Sequence, residues 1–458
     1  MPPTPQRSER SIAATASEPA TIRVGTAIWL AAFLVAGLTF LSIDLVKTWP
    51  KPVVSYSWRV ASIVMVVTLA SCVRGDLSPS GRFLRLFAPW LAAEVILGLA
   101  QPNQAFALAD LVRHFIMIFF GACVFAGAQS ESGRGFIRLL MWMLVGVLIA
   151  ISIGPAIELV QMGWSWDGVR SLKGFFKKRG LLVNDNFATF GVLIIGLWPE
   201  RKTAPAGFWP CAALAFAAGC VFFGVRAPLF SLGFATAAGA AYVWFRRRSD
   251  PYAAPPIIAP FALLAVPMAV LVYIVEHPSP DVTVLLTLRS YLWQIAIDVW
   301  QQHPIIGSGG AGLTYGQQHS LNAATFDLAW HRDAVRDLGS GGFHSNWLDV
   351  LASKGLVGFV GLFAANFLLF RLAMGRAAVQ HGAPLLVLLL LLLWRSYVEV
   401  GGLFSYQNSA LDFISYIVLA YLAALALRDA PAPAKDAGHR TWIAPPRRAH
   451  LAPTAGRG

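Results

Sequence analysis

Apolar stretches long enough to cross a bilayer recur along almost the whole chain, separated by short polar connections. They predict helical spans at 24–43, 57–73, 84–100, 107–127, 136–160, 186–199, 207–224, 227–245, 257–275, 348–370, 383–402 and 409–427, twelve in all. A run of about 20 apolar residues, rising about 1.5 Å each, matches the hydrocarbon thickness of a membrane. The run at 186–199 is short, and the expectation is that it extends or tilts. The apolar residues are continuous rather than alternating, which argues against a β-barrel. The expected fold class is all-α: a polytopic membrane protein with about twelve transmembrane helices and one long outer loop containing short interfacial helices.

The polar positions orient these spans. Met1 to Arg23 is polar, with Arg7, Arg10 and Arg23, and precedes a run too long for a signal-peptide core. The expectation is an uncleaved first span with its N-terminus in the cytoplasm. Alternate connections then carry Arg74, Arg82 and Arg85; Arg134 and Arg138; Arg201 and Lys202; Arg246, Arg247 and Arg248; and Arg371 and Arg376. The opposite connections at 101–106 and 403–408 carry no charge. Lys and Arg collect in cytoplasmic loops, so both chain ends are placed inside. The resulting division is a tail at 1–23, nine spans over 24–275, a long outer loop at 276–347, three spans over 348–427 and a disordered cytoplasmic tail at 428–458. One outer loop defies the rule: 161–185 carries Arg170, Lys173, Lys177, Lys178 and Arg179.

Composition narrows the function. Of 458 residues, 57% are apolar and only 13% are Asp, Glu, Lys or Arg, and the mean hydropathy is +0.60. That excludes a soluble enzyme and a disordered chain. The net charge of +13 reads first as membrane topology, with anionic-lipid or lipid-phosphate binding as the alternative, rather than as nucleic-acid binding. The four cysteines lie in or beside apolar runs, without zinc or disulfide spacing. No phosphate-binding loop, dinucleotide fingerprint or paired outer-loop carboxylates are present, so neither a cofactor nor a metal is expected.

Candidate chemistry gathers in the long loop, because long connections are more often functional than idle. Leu288, Leu292, Ile295 and Val299 have the spacing of one helix face, with Tyr291, Trp293 and Trp300 suited to a membrane interface. Pro304 and the run GSGGAG then end that helix, and a second helix is expected around Ala323 to Asp337. His344 precedes the next span, with Ser345 or Asn346 as N-cap, close to the positive end of a helix dipole. It is either a catalytic base or an interfacial histidine bonded to backbone. Arg226 lies in a short outer turn, where it either snorkels to headgroups or forms a fixed anion site. Arg289 opens the interfacial helix; it is either a solvated loop charge or an anion ligand. Arg395 and Glu399 are four apart and can pair, with Asp412 nearby on the next span. Glu94 stands alone in its span, protonated or bonded to a neighbour. Arg113 and His114 either anchor the fourth span or help hold an anionic ligand.

Four segments together resemble the O-antigen ligase and O-antigen polymerase superfamily. They are HSNWLDVLASKGLVGFVG from His344; LRSYLWQIAIDVWQQHPIIGSGGAG, carried by Arg289, Trp293, Pro304, Gly307 and Gly309; LKGFFKKRGLLVNDNFATF; and GVRAPLF around Arg226. Ser345 separates His344 from Asn346 where the family has His-Asn, and Val225 stands where a hydroxyl residue is usual. The resemblance covers about 165–370.

That resemblance implies a metal-independent glycosyltransferase of a bacterial inner membrane, multi-pass, with its active site facing the periplasm. The donor is a glycan on undecaprenyl diphosphate. The acceptor is lipid A-core in a ligase, or a second lipid-linked glycan in a polymerase. A protein glycosylase and, from another class, a secondary transporter are the remaining alternatives. The diphosphate leaves as an anion and needs fixed positive charge, which Arg226 and Arg289 suit because a guanidinium binds phosphate bidentately. His344 takes the acceptor proton, since histidine titrates near about 6.5. Arg170, Lys173, Lys177, Lys178, Arg179, Arg113, Trp293 and Asn346 are the expected substrate-binding residues.

Overall fold

The structure, a computed structural model, describes residues 25, 28–35, 51–74, 76–163, 165, 167–168, 183–202, 204, 207–222, 226–248, 255–277, 289–309, 343–378, 381–398, 403–404 and 410–428. At 51–59, 62, 106, 151–156, 158–159, 183–185, 221–222, 226 and 410 it describes backbone only.

Among the described residues every regular element is helical. A short helical stretch at 28–35 (α1) is followed by α2 (Lys51–Cys72), α3 (Ser80–Ala100), α4 (Gln104–Gly127), α5 (Glu131–Gln161) and α6 (Val183–Leu197). Then come α7 (Phe208–Phe222), α8 (Arg226–Arg248), α9 (Ile258–Glu276) and α10 (Arg289–Gln302). The last three are α11 (Asn346–Arg376), α12 (Gly382–Val398) and α13 (Ala410–Arg428). Seven of these are long and apolar enough to cross a membrane; the helices at 208–220 and 382–398 are apolar but shorter. The chain is thus an all-α, multi-pass membrane protein. The basic segment 170–179, the helix expected at 323–337 and Glu399 lie outside the described residues.

Burial separates centre from rim. Helix α13 is apolar on every side, and its residues from Leu411 to Ala426 are all buried. A helix without a polar face belongs inside a bundle. Its neighbours approach closely through glycine: a Cβ on Gly196 of α6 would come within 2.8 Å of Val418. By contrast α9 exposes Ile258, Phe261, Val266, Val270 and Tyr273, the surface expected of a helix at the lipid boundary. Helices α3 and α4 form an antiparallel hairpin, with Ser80 at the start of α3 donating to the Ala122 carbonyl near the end of α4, at 3.1 Å.

Connections that the charge pattern assigns to one side meet at one end of the bundle. The uncharged turn after α3 reaches the long segment, where Gln101 donates to the carbonyls of Ile306 (2.6 Å) and Ser353 (2.8 Å). The start of α11 reaches the second uncharged connection through the Asn346 amide and the Leu403 carbonyl, at 3.1 Å. At the other end Arg138 pairs with Glu200 at 3.1 Å, and Arg134 lies within electrostatic reach of Arg428. This sorting is what a single insertion geometry requires.

Candidate active site

Periodicity predicts an unbroken helix over 348–370, yet α11 is interrupted. Gly355 has φ 62° and ψ −158°, a backbone state that only glycine adopts readily. The helical bonds from Leu356 to Ala352 and from Val357 to Ser353 are replaced. The Leu356 N–H donates to the Pro304 carbonyl (2.9 Å) and the Val357 N–H to the Ile305 carbonyl (3.1 Å). The freed carbonyls of Ala352 and Ser353 accept from the N–H groups of Ser308 and Gly309, both at 3.0 Å. The Ser308 hydroxyl and the Gln101 amide add bonds to the same two carbonyls. Every backbone group released by the break finds a partner, as a buried site demands.

This exchange explains the glycines of two motifs far apart in sequence. Gly307 and Gly309 have positive φ, 71° and 68°. A Cβ on Gly307 would overlap the Ser353 carbonyl and the Lys354 nitrogen, and one on Gly355 would overlap the Ile305 carbonyl and the Gly307 nitrogen. The Pro304–Gly309 loop and the Lys354–Gly355–Leu356 break are therefore two halves of one structure. Pro304 ends α10, and the Trp300 indole closes the turn on the Pro304 carbonyl at 3.1 Å.

From the break the Lys354 side chain turns into the bundle. Gly358 makes that path possible, because a Cβ there would overlap it. The ammonium lies 2.5 Å from Glu94 Oε1 on α3 and 3.3 Å from Asp110 Oδ2 on α4. His114 Nδ1 is 3.0 Å from the same Glu94 oxygen, and Arg113 reaches Asp110 Oδ1 at 2.8 Å. Trp90 covers Lys354, with its ring centre 5.3 Å from the ammonium, and meets His114 edge-on. The side chains of Glu94, Lys354, His114 and Asp110 are at most 5% exposed, and that of Arg113 is 21% exposed. Removing one partner of so buried a pair costs about 3–5 kcal/mol. Glu94 is thus bonded to neighbours, one of the two expectations for it. Sequence reasoning missed Lys354 altogether: pairing by helical spacing sees only partners three or four apart, and Glu94 and Lys354 are 260 residues apart.

His344 stands directly before this broken helix, half-buried, with φ 53°. Its backbone is held from the preceding residue: the Phe343 N–H donates to Asp349 Oδ1 at 2.8 Å, and Asp349 is buried. Ser345 is the N-cap, in extended conformation but without a side-chain capping bond. Asn346 is buried against Leu403 and lines a small cavity with Asn366 and Ser396.

Helix α10 packs along α11. Arg289 begins it, and the expected apolar face is buried, with Leu292, Ile295 and Val299 inward. Trp293, expected at an interface, is also buried in the core, only 2% exposed. The backbone of Arg226 opens α8, and its side chain lies outside the described atoms, as do Arg170, Lys173, Lys177, Lys178 and Arg179 altogether. Arg395 and Asp412 are both buried.

Residues 190–363 match the family model described as O-Antigen ligase. No curated protein matches the chain. The matched segment contains Arg226, Arg289, the glycine loop, His344 and the break at Gly355, so the resemblance to the O-antigen ligase and polymerase superfamily holds over these parts of the site, while Glu94, Gln101, Asp110, Arg113 and His114 lie outside it.

Proposed function

We propose that the protein is a glycosyltransferase of the O-antigen ligase type. It moves a glycan from undecaprenyl diphosphate to a hydroxyl of lipid A-core at the periplasmic face of a bacterial inner membrane. The family match over 190–363 carries this reading. The mutual embrace of the two glycine motifs inside that match supports it, because it sets His344 on a braced scaffold beside the helix that Arg289 opens. Such bracing is what a catalytic constellation needs to keep its geometry.

In this mechanism the acceptor oxygen attacks the anomeric carbon and the bond from that carbon to the phosphate oxygen breaks. The electron pair leaves with the diphosphate. His344 takes the hydroxyl proton. Arg289 and Arg226 hold the diphosphate before the bond breaks and stabilise the added charge afterwards. The leaving group is already an anion, so neither a general acid nor a metal is assigned a role. Arg113 and the basic segment Arg170, Lys173, Lys177, Lys178 and Arg179 attract the anionic donor and the phosphorylated core.

A polymerase that joins repeat units on the same carrier is the second reading, since the matched family segment does not separate the two. Lipopolysaccharide from a deletion strain distinguishes them on a gel. The ligase reading expects lipid A-core without any O-chain while carrier-linked polymer accumulates. Core bearing a single repeat unit would assign the polymerase instead, and an unchanged pattern would remove both.

A further inference from the structure

We propose that Asp349 is a positioning residue for His344: it holds the turn that carries the histidine and stabilises the imidazolium formed when the acceptor proton arrives. The proposal rests on the reading of His344 as the general base of the transfer.

The turn is fixed from both sides of His344. Asp349 lies in the first turn of α11, and its N–H donates to the Ser345 carbonyl at 2.9 Å. Its side chain folds back past the N-cap and accepts the Phe343 N–H on Oδ1 at 2.8 Å. Phe343, Ser345 and Asp349 are all buried, whereas His344 is only half-buried. The chain is thus pinned on either side of a residue that keeps some access to the outside. His344 has φ 53°, a state disfavoured for a residue with a Cβ. The bond from Phe343 to Asp349 opposes relaxation out of it.

A hydrogen bond alone does not explain the residue type. A neutral amide or hydroxyl oxygen accepts an N–H as well, and a buried carboxylate carries a desolvation cost that calls for a compensating cation. Toward this end of the bundle, the elements packed on α11 bring Glu94 on α3, Glu276 on α9, Arg289 and Asp298 on α10, Arg395 on α12 and Asp412 on α13. Among the described residues it is His344 that lies within electrostatic reach of Asp349. Lys354, on the same helix, turns instead to Glu94 and Asp110. His344 has further contacts of its own, and the carboxylate adds to them.

During transfer the acceptor O–H bond breaks and its proton goes to the His344 ring, which becomes a cation. Asp349 neither gives nor takes a proton. Its charge is opposite to the one that forms, so the interaction strengthens as the reaction proceeds. Such an interaction lowers the barrier without tightening substrate binding. Asp349 is buried beneath the turn, so it acts through His344 rather than on the substrate.

The test is single-turnover transfer from undecaprenyl-diphosphate-linked glycan to lipid A-core, with purified full-length protein in detergent. Asp349→Asn has nearly the same shape and can still accept the Phe343 N–H, but it carries no charge. Its rate should fall about 10–100-fold, since an opposite charge nearby favours an ionised group by roughly that factor. Donor Kd, acceptor KM and the unfolding temperature should stay at their wild-type values. In a His344→Ala background, adding Asp349→Asn should cost nothing further, because both act through the same imidazole. If Asp349→Asn does not fold, Asp349→Ser supplies a smaller neutral acceptor and replaces it in the cycle, with the same expectations. A wild-type rate in the neutral variant, an equal loss in the His344→Ala background, or a slower rate that comes with a lowered unfolding temperature would each overturn the positioning role. Failure of the wild type to transfer glycan, or a His344→Ala variant as fast as the wild type, would instead overturn the reading it rests on, and this proposal with it.

Discussion

His344→Ala should lose glycosyl transfer while inserting normally and keeping wild-type donor affinity. General-base assistance is worth about 10²–10⁴-fold, so the single-turnover rate should fall by that range while the donor Kd stays constant. The position argues for specificity of the effect. His344 precedes the N-cap of α11 rather than lying inside the helix, so its side chain is not part of the helical ladder. Alanine must also adopt φ 53°, which adds a modest backbone strain. His344→Asn controls for that strain, because asparagine tolerates the left-handed region better, yet it cannot accept the proton. Both variants should be inactive. Transfer at the wild-type rate by either would return His344 to an interfacial role.

The largest structural effect is expected at the helix break. Gly355→Ala places a Cβ against the Ile305 carbonyl and the Gly307 nitrogen, in a backbone state that costs a non-glycine residue about 1–3 kcal/mol before any overlap. The four backbone bonds that join the loop to the break cannot all survive the shift. Gly307→Ala should behave alike, since its Cβ meets the other side of the same contact. Gly233→Ala is the control, with nothing within 4 Å of the added carbon. Thermal unfolding in detergent, followed by retention of the monodisperse peak on size exclusion, should show a large loss for the first two and almost none for the control. Equal stability of Gly355→Ala and Gly233→Ala would contradict the stitched-break geometry.

Much of the helical layout was readable because a membrane enforces it: apolar length fixes the spans, and basic connections sort the ends. The two glycine motifs were visible as motifs. Their purpose was not, because the continuous apolar run of 348–370 conceals a break that exists only when a distant loop supplies its hydrogen bonds. Glu94 drew attention as an intramembrane charge, while Lys354 looked like an ordinary residue of a glycine motif. Their pairing across three helices leaves no trace in local spacing. Asp349 was passed over for the same reason: its bond to the Phe343 N–H depends on the turn that His344 makes. Trp293 shows the opposite case. An aromatic suited to an interface is buried here because α10 packs its apolar face on α11 and α9.

The central claim is that this chain itself transfers a glycan from a carrier diphosphate to an acceptor hydroxyl. Its most direct test is a reaction of purified wild-type protein in excess chelator with undecaprenyl-diphosphate-linked glycan and lipid A-core, the products separated by mass. The account predicts glycan-bearing lipid A-core together with undecaprenyl diphosphate in equal amount. An intact donor after prolonged incubation, with both substrates bound, would contradict it.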